Sequence, residues 1–138
     1  MIPFIVTAHG SPSKLAAQSR ARPDAVFYDC REQIFARNGV TVHFPISICP
    51  KHHREISTKT KLLIRLLSAG GEKSASGELV DMLWLNDKDG GPETAHHVLK
   101  VQISYLRSRI APLGLAIDVE FMRGYTIRDT RHPLASAA

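Results

Sequence analysis

The chain has 138 residues, 43% hydrophobic and 22% charged, which fits one soluble globular domain with a core of ordinary size. Eighteen lysines and arginines against 13 acids give a formal net charge of +5, which favours polyanionic partners such as nucleic acid or an anionic membrane surface. Two cysteines are too few for a disulfide framework, no apolar run could span a membrane and no basic residues open the chain as in a secretory signal, so we expect a cytoplasmic protein.

The two ends of the chain have compositions typical of mobile segments. Residues 1–24 combine a short apolar start with stretches rich in Pro, Ser, Gly and Arg, and we predict a flexible N-terminal arm. Residues 130–138 (TRHPLASAA) are predicted to be a frayed tail. The folded domain is therefore placed at residues 25–129.

The first part of this domain carries the pattern of a small antiparallel sheet. Residues 26–28, 33–37 and 41–44 are rich in β-forming side chains and are separated by polar residues. Between the last two runs, Asn38 and Gly39 form a tight-turn dipeptide, because both residue types tolerate positive φ.

Three helices and a hairpin are predicted to follow. The first helix begins at Ser57 or Thr58, whose side-chain oxygen can satisfy free backbone N–H groups, and it runs to about Ser68. Ser76 is the predicted cap of the second helix. The third covers about 93–111, and the hairpin about 116–128.

The third helix has two unlike sides. Leu99, Ile103, Leu106 and Ile110 follow one another at spacings of four, three and four, which places them on one apolar stripe. The opposite side carries Thr94, His97, Lys100, Val101, Ser104 and Ser108, all but Val101 polar or cationic, with Tyr105 and Arg107 on its flanks. An ordinary solvated helix usually mixes Glu with Lys. The side without acids is either a solvated surface of unusual composition or a surface that faces phosphates.

The hairpin adds to the second interpretation. Arg123 lies in its turn and Arg128 follows on its second strand, and an arginine at such a tip can enter a narrow minor groove. Asp118 and Glu120 on the first strand count against a uniformly positive hairpin.

The stretch ETAHHVLKVQISYLRSRIAPLGLAIDVEFMRGYTI resembles the end of the OmpR/PhoB-type winged-helix effector domain, and the resemblance covers about residues 26–128. GELVDMLW is similar to the family's second helix, and Gly124-Tyr125 to the end of its wing. The residues that fit the family's last helix are Leu99, Val101, Ile103, Leu106 and Arg107. The resemblance implies an α+β fold: a winged helix-turn-helix with a small N-terminal antiparallel sheet, three helices and a C-terminal β-hairpin wing.

By this resemblance, the third helix would lie in the major groove of double-stranded DNA and the wing would lie on the backbone or in the minor groove. Base reading would fall to His97, Lys100, Ser104 and Tyr105, and phosphate contact to Arg107. The full set of implied DNA-binding residues is Thr94, His97, Lys100, Val101, Ser104, Tyr105, Arg107, Arg123 and Arg128. Two further partners remain open: RNA polymerase, at the acidic, Gly-rich segment 85–91, and a second copy of the chain on DNA.

Enzyme, cofactor and metal chemistry find little support in the sequence. It has no Gly-rich phosphate loop, no Ser-His-Asp order and no pair of carboxylates that could be argued to act together. The residues that could suggest zinc match no familiar ligand spacing: Cys30, His43, Cys49, His52 and His53. We therefore expect no enzyme, no cofactor and no metal site.

Two functional hypotheses remain. The first is a stand-alone bacterial or phage-type transcription regulator, nucleoid-associated in the cytoplasm, with no receiver domain to be phosphorylated within these 138 residues. The second is a winged-helix protein-interaction module that modulates transcription by docking on RNA polymerase or on another regulator.

Overall fold

The N-terminal part of the chain forms a four-stranded sheet. The computed structural model describes residues 2–8, 10–44, 47–48, 54–55, 58–83, 94–120 and 124–130. Strands β1 (Phe4–Thr7), β2 (Val26–Asp29), β3 (Ile34–Arg37) and β4 (Val40–His43) lie side by side in that order. β2, β3 and β4 are antiparallel as predicted, whereas β1 pairs with β2 in parallel. Parallel neighbours require a crossover, and helix α1 (Pro12–Ala21) provides it.

Residues 2–8 and 10–24 are part of this fold, which corrects the prediction of a flexible arm. Ser11 caps α1 by accepting a hydrogen bond from the Lys14 backbone N–H at 3.4 Å, and Pro12 follows in the first turn. The buried residues of α1 are Leu15 and Ser19. Most of the helix is therefore exposed, and its polar composition resembles that of a loop. Residues 131–138, the bulk of the predicted frayed tail, lie outside the described residues.

The turn between β3 and β4 is the predicted two-residue one. Asn38 and Gly39 have φ angles of 49° and 83°, which suit the twist of a tight hairpin. The backbone N–H of Gly39 donates to the hydroxyl of Ser19 at 2.9 Å. The hairpin is thus attached to α1, and the predicted turn is confirmed.

Two smaller sheets follow, and a predicted hairpin lies in the second. Strands β5 (Ser47–Ile48) and β6 (Arg54–Glu55) pair with each other. Strand β7 (Ser74–Ala75) belongs to a sheet of order β7-β9-β8, in which β8 (Leu115–Glu120) and β9 (Gly124–Asp129) form the hairpin. All pairings in these two sheets are antiparallel.

The helices predicted after the first sheet are confirmed within the described residues. They are α2 (Thr58–Ser68), α3 (Ser76–Leu83) and α4 (Ala95–Ile110). α2 ends where Gly70 and Gly71 adopt φ angles of 64° and 87°, because the left-handed backbone cannot continue the helix. Ser57 and the segment 85–91, the expected polymerase contact, lie outside the described residues.

The four-stranded sheet lies between two apolar clusters. Its α1 side holds a small cluster of Leu15, Ala25, Phe27, Ile34 and Ala36. The other side joins the main core, to which α2, α3, α4 and the hairpin contribute: Val26, Phe35, Phe44, Leu62, Leu66, Leu79, Leu99, Ile103, Leu106, Ile110, Ile117 and Ile127 are among its members. The chain is therefore a mixed α/β fold in which sheet and helices share one core.

A buried ion pair joins the ends of the two larger sheets. Arg37, at the end of β3, is 1% exposed and holds the carboxylate of Asp129, at the end of β9, with both terminal nitrogens. The same guanidinium donates to the carbonyl oxygen of Asp24 at 2.8 Å. The hairpin is therefore anchored to the N-terminal sheet at the end away from its turn.

Candidate nucleic-acid interface

The orientation of α4 is set by its inner stripe. The predicted core residues Leu99, Ile103, Leu106 and Ile110, together with Ala95, are at most 6% exposed. They pack α4 against α2, α3 and β8. Because this stripe repeats with the 3.6-residue period of the helix, the opposite side must point away from the core.

That opposite side, the outer face, comprises Thr94, His97, Lys100, Val101, Ser104 and Ser108. All of these side chains are exposed except that of Val101, which is half-buried. The sequence holds no acidic residue from Thr94 to Ile110. The outer face therefore offers hydroxyl, imidazole and ammonium groups to a partner without a carboxylate of its own helix to repel an anion.

Arg107 lies on the flank of α4 that faces the hairpin. Its side chain is exposed, and its Nε donates to the Ile117 carbonyl oxygen on β8 at 3.1 Å. Burial raises the pKa of the nearby Tyr125 phenol above its usual value, and the positive charge of Arg107 opposes that rise. A guanidinium has five N–H donors, so this bond positions Arg107 and leaves donors for an anion.

Arg128 on β9 is paired on the hairpin itself. Its Nε and Nη2 bind the two carboxylate oxygens of Asp118 on β8 at 2.9 and 3.3 Å. This hydrogen bonding and the negative charge of Asp118 raise the pKa of Arg128. Both side chains are about half exposed, so the pair lies at the surface and Asp118 offsets the charge that the sequence assigned to DNA binding. Arg123, the other predicted hairpin residue, lies outside the described residues.

The flank of α4 away from the hairpin carries a group of contacts that the sequence reasoning missed. The ammonium of Lys59, in the first turn of α2, donates to Gln102 Oε1 at 3.1 Å and lies 5.5 Å from the centre of the Tyr105 ring. Tyr105 remains 59% exposed. The spacing of Gln102 and Tyr105 by three residues places both on one flank, but nothing local in the sequence points to Lys59.

Arg109 continues this flank toward the four-stranded sheet. Its Nη2 donates to the His43 carbonyl oxygen at 2.7 Å, and its guanidinium lies 5.7 Å from the centre of the Phe44 ring. Arg109 thus fixes the end of α4 against β4. The two flanks of the helix are held by different neighbours, the hairpin on one side and α2 with β4 on the other.

The described ranges hold neither a metal-binding cluster nor a membrane-spanning helix. Within them, no group of three or more His, Cys, Asp or Glu side chains could hold a metal ion. Cys49, His52 and His53 fall outside these ranges, while Cys30 is exposed. Nor do the helices described include one with the length and apolar character needed to cross a membrane.

No model of a known protein family matches this chain, and no curated protein matches it significantly.

Proposed function

We propose that this chain is a sequence-specific double-stranded DNA-binding transcription regulator. It inserts the outer face of α4 into the major groove and sets the β8–β9 hairpin against the backbone or minor groove. The observation that carries the proposal is the outer face itself. It is exposed, polar and cationic, and it lies on a helix without acids from Thr94 to Ile110. Phosphates repel carboxylates, so such a surface suits DNA better than a typical solvated helix does.

The arrangement of the elements supports the same function. α2, β7, α3 and α4 precede a hairpin whose second strand pairs with β7. In winged helix-turn-helix proteins a helix of this kind enters the major groove, and a hairpin beside it reaches the adjoining backbone. We therefore extend the proposal from the helix surface to a winged-helix mode of binding.

The side chains of α4 divide into two roles. Lys100 and Ser104 project from the outer face, where they meet base edges and can discriminate among them by hydrogen bonding. Arg107 is held toward β8 by its bond to the Ile117 carbonyl oxygen, so it meets a phosphate at the edge of the groove. Phosphate contacts position the protein without selecting a sequence.

The proposal is tested by selecting duplexes from a random pool with the purified full chain, then measuring affinity by gel shift at several salt concentrations. We expect an enriched sequence and an affinity that falls steeply with salt. Arg107→Ala should weaken binding by a similar factor for every sequence, whereas Ser104→Ala should change the preferred bases. Arg22→Ala, which removes an exposed arginine beyond α1 on the other side of the sheet, is the matched control and should leave affinity unchanged.

Two results would contradict the proposal. One is unchanged duplex affinity after both Arg107→Ala and Arg123→Ala. The other is the absence of duplex binding together with a complex with RNA polymerase that survives Lys100→Ala and Arg107→Ala. The second result would instead identify a protein-interaction module.

A further inference from the structure

We infer that Lys59 is a second DNA-backbone contact, on the flank of α4 away from the hairpin, and that Tyr105 and Gln102 act as positioning residues for it. This inference rests on the proposed DNA binding. It gives a role to the flank of α4 away from the hairpin, to which the proposed function assigns no DNA contact.

A helix that lies in the major groove brings both of its flanks close to a phosphate backbone. An α-helix with its side chains is about 10–12 Å across, close to the ~12 Å width of the major groove. A helix lying there has a phosphate strand beside each of its flanks. Arg107 occupies the flank beside β8, and Lys59 reaches the other one from the first turn of α2.

Lys59 is a suitable cation for that second strand. An ammonium has three N–H donors, of which the Gln102 oxygen takes one. The Tyr105 ring provides a cation–π contact that keeps the charge in place without neutralising it. Among the described residues no carboxylate forms an ion pair with Lys59.

Two arginines near the helix, Arg109 and Arg128, are bound by other parts of the protein. Arg109 on the same flank donates to the His43 carbonyl oxygen and covers the Phe44 ring. Arg128 on the hairpin is held by both oxygens of Asp118. Within the described part of the chain, Lys59 thus combines a charge that no carboxylate pairs with and a fixed position, which is what a phosphate contact needs.

The same contacts change the role of Tyr105. The sequence suggested that it reads bases, yet its ring lies under the Lys59 ammonium at 5.5 Å. The ring is what that contact requires, and the hydroxyl is not. Tyr105 is therefore expected to act through Lys59, and replacing it should alter affinity without altering base preference.

The charge is tested first, on the full chain and the duplex it selects, by fluorescence anisotropy across a salt series. Lys59→Met keeps the aliphatic stem and removes the charge. We expect a several-fold loss of affinity, similar for all sequences, and a slope of log affinity against log salt that is smaller by about one. Lys59→Arg should retain the slope. Lys61→Met is the matched control: it removes a lysine about 200° around α2 from Lys59 and should leave the slope unchanged.

The ring is tested second. Tyr105→Phe should bind like the unmodified chain, while Tyr105→Leu should resemble Lys59→Met. The double variant Lys59→Met with Tyr105→Leu should be no weaker than Lys59→Met alone, because both changes remove one contact. A change of base preference in Tyr105→Phe would show that the hydroxyl reads a base, and would overturn the positioning role.

The outcomes separate this inference from the proposal beneath it. If the unmodified chain selects no duplex, both fail. If it binds a duplex with steep salt dependence and Lys59→Met keeps the full slope and affinity, the Lys59 contact alone is wrong. Circular dichroism melting curves for each variant ensure that a loss of binding is not a loss of folding.

Discussion

Two arginine–carboxylate pairs meet at neighbouring residues of β9, and their surroundings are opposite. Asp129 turns toward the N-terminal sheet and binds Arg37, whose side chain is 1% exposed. Arg128 turns outward and binds Asp118, and both of these side chains are about half exposed. Successive side chains of a strand point to opposite faces, so one strand places one pair inside the junction and the other on the surface.

The two pairs differ in solvent exposure, and this difference separates charges that stabilise the fold from charges that are accessible to a partner. Arg37 is surrounded by low-dielectric protein and Asp129 is only 16% exposed, so the loss of one partner leaves a charge that water solvates only in part. A pair at the surface exchanges easily with water and contributes little to stability. The junction of Arg37 and Asp129 should therefore govern folding, whereas the hairpin pair should govern the charge that the hairpin presents to a partner.

The largest expected effect is at the junction. Arg37→Met removes the arginine that binds the Asp129 carboxylate, and we expect the free energy of unfolding to fall by about 3 kcal/mol, the low end for a buried pair, because Asp129 is 16% exposed. Urea denaturation followed by circular dichroism measures this. Arg22→Met is the matched control, since Arg22 is exposed and reaches Asp24 only at 4.0 Å, and it should leave stability nearly unchanged. Equal stabilities for the two variants would show that the junction does not hold the sheets together.

A smaller effect is expected where the hairpin meets β7. A Cβ atom on Gly124 would lie 2.1 Å from the Ser74 carbonyl oxygen, a backbone atom that cannot rotate away. Gly124→Ala must therefore separate β9 from β7, and we expect a loss of about 1–3 kcal/mol in the free energy of unfolding. Thermal unfolding measures the loss.

The control for this change is another glycine. Gly77 lies in α3, and a Cβ added there would meet nothing within 4 Å. Gly77→Ala should leave stability unchanged or raise it by up to about 0.5 kcal/mol, because alanine loses less backbone freedom in a helix than glycine does and Gly77 lies in the first turn. A loss of stability at both positions would mean that the close approach of β9 to Ser74 is not what requires Gly124.

The parts of the fold that were predicted correctly depend on local patterns. The stripe of Leu99, Ile103, Leu106 and Ile110 identifies α4 because its period belongs to one helix. Asn38-Gly39 identifies the β3–β4 turn because the positive φ angles are a property of those two residues. By contrast, α1 buries only Leu15 and Ser19, which leaves too weak a period to distinguish it from a mobile arm.

The contacts that position the side chains around the candidate interface join residues far apart in sequence, so no local sequence pattern could predict them. Arg37 and Asp129 are 92 residues apart, and Lys59 and Gln102 are 43 apart. The sequence indicated which side of α4 faces outward. It did not indicate that Asp118 binds Arg128, that Arg107 is tied to β8, or that Lys59 reaches Tyr105.

The hairpin pair supplies the smallest expected change in stability and a distinct change in binding. Asp118→Asn removes a negative charge and the carboxylate that holds Arg128. Because the pair is half exposed, the melting temperature should not change measurably. If the hairpin lies on the DNA backbone, Arg128 becomes free to bind a phosphate, so affinity should rise and the salt slope should steepen by up to about one.

The control for Asp118→Asn must distinguish a gain in affinity caused by the freed Arg128 from a gain caused by the higher net charge of the chain. Glu32→Gln makes the same charge change in the exposed turn between β2 and β3. A general electrostatic attraction to DNA would raise affinity about equally in both variants, since long-range fields depend on total charge. A gain confined to Asp118→Asn places the hairpin beside the backbone, because contact with a phosphate falls off within a Debye length of about 10 Å at 0.1 M salt. Equal gains in affinity for the two variants would mean that the hairpin does not contact the DNA backbone, and α4 alone would remain as the proposed contact.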